Sequence, residues 1–512
     1  MKVIILVIYF AVLIGIGFYC RKNVTDVNGF VLGGRSVGPW LTAFAYGTSY
    51  FSAVVFVGYA GQFGWKYGIA ATWAGIGNAI IGSLMAWVIL GRRTRLMTQE
   101  LNSATMPEFF GSRFNSNPLK VISSAIIFIF LIPYTASLYN GLSRLFAMAF
   151  NIDYSICIVL MAVLTGIYVI AGGYMATAIN DFIQGLIMLV GIVVIIWAVL
   201  ESKGGLMASL EGLSQISDPE VSQVTGVFNS FLGPDPLNLG FVVLLTSLGT
   251  WGLPQMVQKF YAIKDESSIK KGTIISTIFA LVVAGGCYFL GGFGRLFSDQ
   301  IDIAANGYDS VVPIMLSNLS PGLIALVVIL VLSASMSTLS SLVIASSSTL
   351  TIDFINGNII KEMDERKKLI FIRIFIVVFI AISAVIALVQ YKSSVTFIAQ
   401  LMGISWGALA GAFLAPFMYS LYWKGTTKAS CYVSFAFGVG LMLVNMFAKG
   451  ALPAIIQSPI NCGVVAMVAG LIIVPLVSLV TKKPEEALLT KAFRCYQRMA
   501  YVSVKTSLPE NE

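Results

Sequence analysis

Histidine is absent from all 512 residues. That removes a histidine proton relay, a histidine-ligated metal and a Ser-His-Asp triad together. Charge is scarce: Asp, Glu, Lys and Arg make up 11% of the chain, against about 25% in a soluble domain. The six cysteines show no C-x-x-C and no paired spacing. They therefore write neither a metal knuckle nor a disulfide framework, and they read as packing residues. Acids deep inside apolar runs are nearly missing, with Asp181 the main exception. No nucleophile–base pair is visible, which sets a membrane enzyme aside.

What the chain does have is apolar length. With 57% apolar residues, it reads as an all-α polytopic membrane protein, because lipid offers backbone groups no partner outside a helix. About thirteen spans are expected, near residues 2–19, 38–62, 70–91, 121–149, 154–171, 177–199, 238–258, 272–294, 322–350, 369–390, 395–421, 429–447 and 462–480. Each is long enough to cross ~30 Å of hydrocarbon. The first ends in Cys20-Arg21-Lys22 with no small-residue cleavage site, so it reads as a retained helix rather than a signal peptide.

Lys and Arg set the expected orientation. With the N-terminus outside and spans alternating, only Lys2, Lys66, Arg144, Lys203, Arg295, Lys392 and Lys449 face outward. The other 25 of 32 basic residues, Lys22, Lys259, Lys264, Arg498 and Lys505 among them, fall on inner segments. This obeys the positive-inside rule, with the C-terminus in the cytoplasm of a cell-membrane protein. The net charge of +9 then reflects topology and not nucleic-acid binding.

Two spans are interrupted in their middles. In span 2 the interruption is Ala45-Tyr46-Gly47-Thr48-Ser49-Tyr50, and in span 7 it is Gly249-Thr250-Trp251-Gly252-Leu253-Pro254-Gln255. Five spans separate them, and an odd-numbered unit repeated in tandem reverses its orientation. The expected organisation is thus a single membrane domain with an inverted repeat. Residues 38–200 form the first copy and 238–422 the second; 1–37 and two helices within 429–480 flank them, and 482–512 form a cytoplasmic tail. Broken helices at matching positions point to a midplane binding site, although glycine and proline are also simply commoner in membrane helices. Between spans 3 and 4, Thr105-Met106-Pro107-Glu108-Phe109-Phe110 reads as a short interfacial helix.

The most chemically suggestive stretch lies in span 9. Ala334, Ser337, Thr338 and Ser341 stand at i, i+3, i+4 and i+7 and share one helical face. Hydroxyls and freed carbonyls on one face make an oxygen cage without full charge, suited to a bare monovalent cation. The broken span 2 supplies unpaired carbonyls near Thr48 and Phe51. Small residues also let membrane helices approach closely, and the run Ser346-Ser347-Ser348 reads that way. Asp181 lies near the cytoplasmic start of span 6, where an acid also suits the helix dipole. By the helical rise Ser341 lies about 18 Å and Asp181 roughly 6–10 Å in from the cytoplasmic face, so Ser340, Ser341 and Asp181 belong to one cytoplasmic-side polar cluster if spans 6 and 9 touch.

With these residues the chain resembles the sodium/solute symporter family, which includes bacterial proline, pantothenate, sialic acid and sugar symporters. The resemblance covers nearly the whole chain. It is most specific at Ala334-x-x-Ser337-Thr338, at Gly172-Gly173…Asp181…Gln184 and at Trp406-Gly407-Ala408-Leu409-Ala410-Gly411. It implies a five-plus-five inverted-repeat transporter fold and Na⁺-coupled solute uptake by alternating access. Na⁺ would be the coupling ion, with no cofactor and no obligate protein partner. Carried over by motif, the main sodium site uses the carbonyls of Thr48, Phe51 and Ala334 and the hydroxyls of Ser337 and Thr338. A possible second sodium falls on Asp181, Ser337, Ser340 and Ser341, with Asn180-Asp181 standing where the family has Thr-Asp.

The resemblance also sets the solute between the two breaks, walled by Tyr50, Ser52, Tyr134, Thr250, Trp251 and Gln255. Proline symporters match at Tyr134 but carry an acid at the position of Tyr50 and aromatics at those of Thr246 and Thr250. A polar, uncharged wall favours a zwitterion, a neutral polyol or sugar, or a small carboxylate held by half-helix N-termini. The alternatives are a sodium-independent or proton-coupled facilitator, and a solute sensor with a signalling partner.

Overall fold

A helix breaks in a membrane only where something else satisfies the peptide groups it releases, so the breaks organise this fold. The computed structural model describes residues 2–21, 24, 26–150, 152–393 and 398–497. Lys22, Arg498 and Lys505 of the inner set, and residues 498–512 of the expected tail, lie outside the described residues. The main helices are α1 Lys2–Arg21, α2 Pro39–Tyr50, α3 Val54–Glu100, α4 Asn117–Phe150, α5 Tyr154–Glu201, α6 Pro236–Leu248, α7 Pro254–Tyr261, α8 Glu266–Gly291, α9 Pro321–Thr349, α10 Glu365–Ser393, α11 Ile398–Tyr422, α12 Lys428–Phe447 and α13 Pro459–Val480. The described residues contain isolated bridges but no sheet.

By length and apolarity, nine helices among the described residues can cross a membrane, or ten if the bent pair α6–α7 counts as one span. Part of the difference from the expected thirteen is the first span, which counts only as a shorter apolar helix over Leu6–Arg21, and the rest has a backbone cause. α3 has 47 residues and α5 has 48, so each would measure about 70 Å if straight, more than twice the hydrocarbon thickness. Each instead bends at a glycine, Gly68 (φ 62°, ψ −142°) in α3 and Gly173 (φ 58°, ψ −156°) in α5. Only glycine occupies that region at low cost. Expected spans 5 and 6 thus run together without a loop, as do span 3 and the second half of span 2.

The break in span 2 also sits later than expected. α2 continues through Ala45–Tyr50 and gives way at Phe51, which is extended (φ −104°, ψ 132°). Gly47 serves packing instead: a Cβ there would lie 2.5 Å from the Phe279 ring. The second break falls inside its expected window. A 3₁₀ turn at Gly249–Gly252 and an extended Leu253 (φ −84°, ψ 121°) bend α6 from α7 by 48°. Pro254 opens α7, where its missing N–H leaves no bond unmade.

α9 lies at the centre, buried at almost every position from Val327 to Thr349. Both legs of α5 pack on it. Tyr168 donates to the Met336 carbonyl at 2.7 Å, and a Cβ on Gly191 would touch Leu330 at 2.7 Å. α2 closes the group, with Phe44 and Thr48 against Gly185 of α5. The run Trp406–Gly411 forms a close crossing of α11 with α12 and α13: a Cβ on Gly411 would meet Ala466 at 2.7 Å and one on Gly407 the Met442 sulfur at 2.8 Å. The interfacial helix forms at Met106–Phe114. Thr105 caps it by accepting from the Glu108 N–H at 3.1 Å, and Glu108 reaches back to the Ala104 N–H at 2.7 Å.

The glycine bends give a stability prediction. At Gly68 an added Cβ would sit 2.0 Å from the Phe228 carbonyl, whereas at Gly15 nothing lies within 4 Å. Gly68→Ala is expected to cost about 2–3 kcal/mol from strain and overpacking, and Gly15→Ala to cost nothing. Thermal unfolding midpoints of the two purified variants check this; equal midpoints would refute it.

Candidate cation and solute sites

At the end of α2 the Phe51 carbonyl has no backbone donor and the Thr48 carbonyl keeps one, the Phe51 N–H at 3.3 Å; the serine face of α9 meets both. Ser337 Oγ lies 3.2 Å from the Thr48 carbonyl oxygen and 3.0 Å from that of Ala334. Thr338 Oγ1 lies 3.4, 3.1 and 3.1 Å from the carbonyl oxygens of Thr48, Phe51 and Ala334. The structure therefore brings together all five residues of the expected main site, and all are buried. These five oxygen–oxygen approaches share only two hydroxyl protons. At least three acceptor pairs face each other with no hydrogen between them. A buried cluster with that surplus of acceptors is stabilised by a cation and costly without one.

One turn further along α9 the polar character changes. Ser341 Oγ donates to the Ser337 carbonyl at 3.1 Å and lies 3.0 Å from Ser49 Oγ on α2. It also accepts from Lys259 Nζ at 2.9 Å. The same ammonium stands 3.8 Å from Asp181 Oδ2, with both side chains at most 2% exposed, and 5.0 Å from the centre of the Tyr174 ring. Spans 6 and 9 do touch, and Asp181 and Ser341 share this lysine. Ser340 donates to the Ser337 carbonyl at 2.9 Å and sits beside the Tyr168 hydroxyl.

Lys259 corrects the sequence reading, which put it on an inner segment just beyond a span ending at residue 258. It belongs instead to buried α7, the half-helix after the second break. A signal was available: an intramembrane carboxylate needs a partner, and Lys259 lies five residues after Pro254, within the segment opened by the second break.

The six expected wall residues divide into two groups. Tyr50 donates to the Thr246 carbonyl. Thr250 Oγ1 donates to the Ser247 carbonyl at 2.8 Å, with the Gly82 carbonyl 3.5 Å away, and Tyr46 also donates to Gly82 at 2.8 Å. Trp251 Nε1 donates to the Ile81 carbonyl at 3.0 Å, so its indole is spoken for by α3. In the other group, Ser52 and Tyr134 lie together with Trp406, and their side-chain polar atoms make no good protein hydrogen bond. Tyr134 and Tyr50 both present rings edge-on to Trp406, with centroids 5.9 and 6.4 Å apart. Gln255 is buried with its carbonyl oxygen unpaired among the described residues. Trp406, which the sequence offers only as part of a family signature, joins this group through its ring contacts.

A cavity of about 640 Å³ is lined among others by Gln62, Tyr67, Asp235, Asn238, Gln400 and Asn461. None of the six wall residues lines it. It meets the N-terminal ends of α6 and α13, on the side where the sequence places the exterior.

The family model for the sodium:solute symporter family matches residues 30–438. An osmoregulated proline transporter of Bacillus subtilis is 28% identical over 489 residues, covering 95% of this chain and 96% of the relative. A sodium/proline symporter of Staphylococcus aureus is 31% identical over 454 residues, covering 86% of this chain and 85% of that one. Among solved structures, a Na⁺-coupled sialic acid symporter in a substrate-bound outward-open state aligns with TM-score 0.74 at 16% identity, over 95% of this chain and 99% of the other. A nucleobase-cation-symport-1 family transporter in a closed conformation aligns with TM-score 0.50 at 15% identity, over 90% and 97%. At those identities the likeness is one of fold.

The two tryptophans separate packing from site. Trp251→Phe strands the Ile81 carbonyl and is expected to cost about 1 kcal/mol. Trp406→Phe deletes an unpaired donor and is expected to leave the unfolding midpoint unchanged or raised. Thermal melts of both variants decide; a larger loss at Trp406 would refute the assignment.

Proposed function

Because the chain belongs to the sodium:solute symporter family, a family of membrane transporters and not of enzymes, we propose that it imports a small solute without net charge, driven by Na⁺ and working by alternating access. The observation that carries this is the surplus of acceptors between the broken end of α2 and the serine face of α9. The ion is held by the carbonyls of Thr48, Phe51 and Ala334 and the hydroxyls of Ser337 and Thr338. Residues 38–200 and 238–422 act as the two inverted repeats, with the N-terminus outside and the C-terminus in the cytoplasm of the cell membrane.

The solute sits against the rings of Tyr134, Trp406 and Tyr50, with Ser52 and Gln255 as polar contacts. No charged side chain joins that wall, which favours a zwitterion or a neutral polyol over a free anion. Two relatives named as proline transporters make proline the first solute to try. The positions of Tyr50, Thr246 and Thr250, where proline symporters differ, argue for a different side-chain preference.

Sodium binding is measurable before the solute is known. A ligand of the folded state stabilises it by RT ln(1 + [L]/Kd), about 2.7 kcal/mol at a hundredfold excess over Kd. NaCl is expected to raise the unfolding midpoint above that in KCl at equal ionic strength, and solutes to add stability only with Na⁺ present. Ser337→Ala and Thr338→Ala each remove a ligand worth about 1.5 kcal/mol, so the sodium half-saturation should rise about tenfold with expression intact. Identical curves in NaCl and KCl would sink the sodium reading.

A further inference from the structure

Lys259 has to be explained on its own terms. A lysine at membrane depth is expensive and marks function when it persists. Here it is not drawn to the surface: its side chain is 2% exposed and its ammonium points into a cage built by three other helices. α9 contributes Ser341, which accepts from Nζ at 2.9 Å; α2 contributes Ser49, 3.0 Å from that hydroxyl; α5 contributes Asp181, 3.8 Å from Nζ. The face of Tyr174 completes the surroundings at 5.0 Å. Among the described residues, the Asp181 carboxylate accepts no hydrogen bond, so the ammonium is the charge that balances it.

These oxygens, one carboxylate and two hydroxyls from three helices, are what a second free Na⁺ would need. An ammonium occupies the volume of a small monovalent cation and offers the same unit charge. It also makes a second mobile cation there unfavourable, since one carboxylate cannot offset two positive charges in a dry site.

We infer that the Lys259 ammonium is a tethered cation that takes the place of a second sodium ion between Asp181, Ser341 and Ser49. The inference builds on the sodium reading above. Its consequence is stoichiometric. A cation fixed to α7 cannot leave into the cytoplasm, so only the ion at Ser337 and Thr338 carries energy from the sodium gradient.

The test counts sodium ions bound per chain in the detergent-purified full-length protein, with Na⁺ alone as the probe. Wild type should bind one. Lys259→Ala empties the cage and should bind two, and Lys259→Ala combined with Asp181→Asn should return to one. Wild type binding two, or Lys259→Ala remaining at one, overturns the inference. If Lys259→Ala does not purify, Asp181→Asn decides: a count still at one supports the tethered cation, and loss of a sodium ion refutes it. Wild type binding none would be a failure of the sodium reading instead; the gain of one ion on Lys259→Ala would still support the tethered cation, and no gain would overturn it.

Discussion

A carbonyl freed inside a membrane must find a proton or a cation, and the end of α2 frees that of Phe51 and leaves that of Thr48 with a single 3.3 Å bond from the Phe51 N–H. The rest of the centre follows from that shortage. The helix that answers it must come close, which requires small residues, and must carry hydroxyls. α9 does both with Ala334, Ser337 and Thr338. Having no lipid-facing side over most of its length, it must in turn be packed all round. Tyr168 of α5 therefore bonds directly to its backbone at Met336, and Gly191 lets the other leg of α5 settle against Leu330. Bends at Gly68 and Gly173 let such long helices return on themselves beside the site.

Two polar clusters then lie one helical turn apart and share Ser337. Its hydroxyl faces the first cluster, while its carbonyl accepts from Ser340 and Ser341. At an effective dielectric constant near 20, two unit positive charges a turn apart, roughly 6 Å, repel by about 3 kcal/mol. Asp181 beside Lys259 cancels most of that. On the proposed sodium reading, the carboxylate thus acts on the first cluster without touching it: it would keep a fixed ammonium from repelling a mobile cation nearby.

Much of this was legible in the sequence and some was not, for identifiable reasons. Apolar length fixed the helical class, and the i, i+3, i+4, i+7 spacing placed Ala334, Ser337, Thr338 and Ser341 on a single face. The second break could be located because Pro254 and Gly252 leave little choice. The first was misplaced by a few residues because Gly47 looks like a breaker, while its missing side chain actually makes room for Phe279. The number of helices was harder still. A single glycine with positive φ can reverse a chain without any polar loop, and hydropathy cannot see it. The partner of Asp181 was signalled only by the carboxylate's need for a cation, with Lys259 78 positions away, and that of Trp251 was out of reach, since the Ile81 carbonyl, 170 positions away, depends on which helices meet.

As the proposed sodium site, the first cluster would couple an ion gradient to movement because its oxygens come from two separate elements. Thr48 and Phe51 belong to α2, Ala334, Ser337 and Thr338 to α9. A cation bound there favours whichever state holds those elements together, and it shifts the equilibrium only by its difference in affinity between states, 1.4 kcal/mol for each factor of ten. The same seam is also joined by Ser49 with Ser341, and through Ser341 by Lys259. If that lysine were the only cation, the seam would be held equally whatever the sodium concentration outside. A fixed charge can set the resting balance between states, but only an ion that enters on one side and leaves on the other can make the balance depend on the gradient. The fold therefore needs an exchangeable site beside the fixed one, and the acceptor-rich end of α2 is where its chemistry puts it.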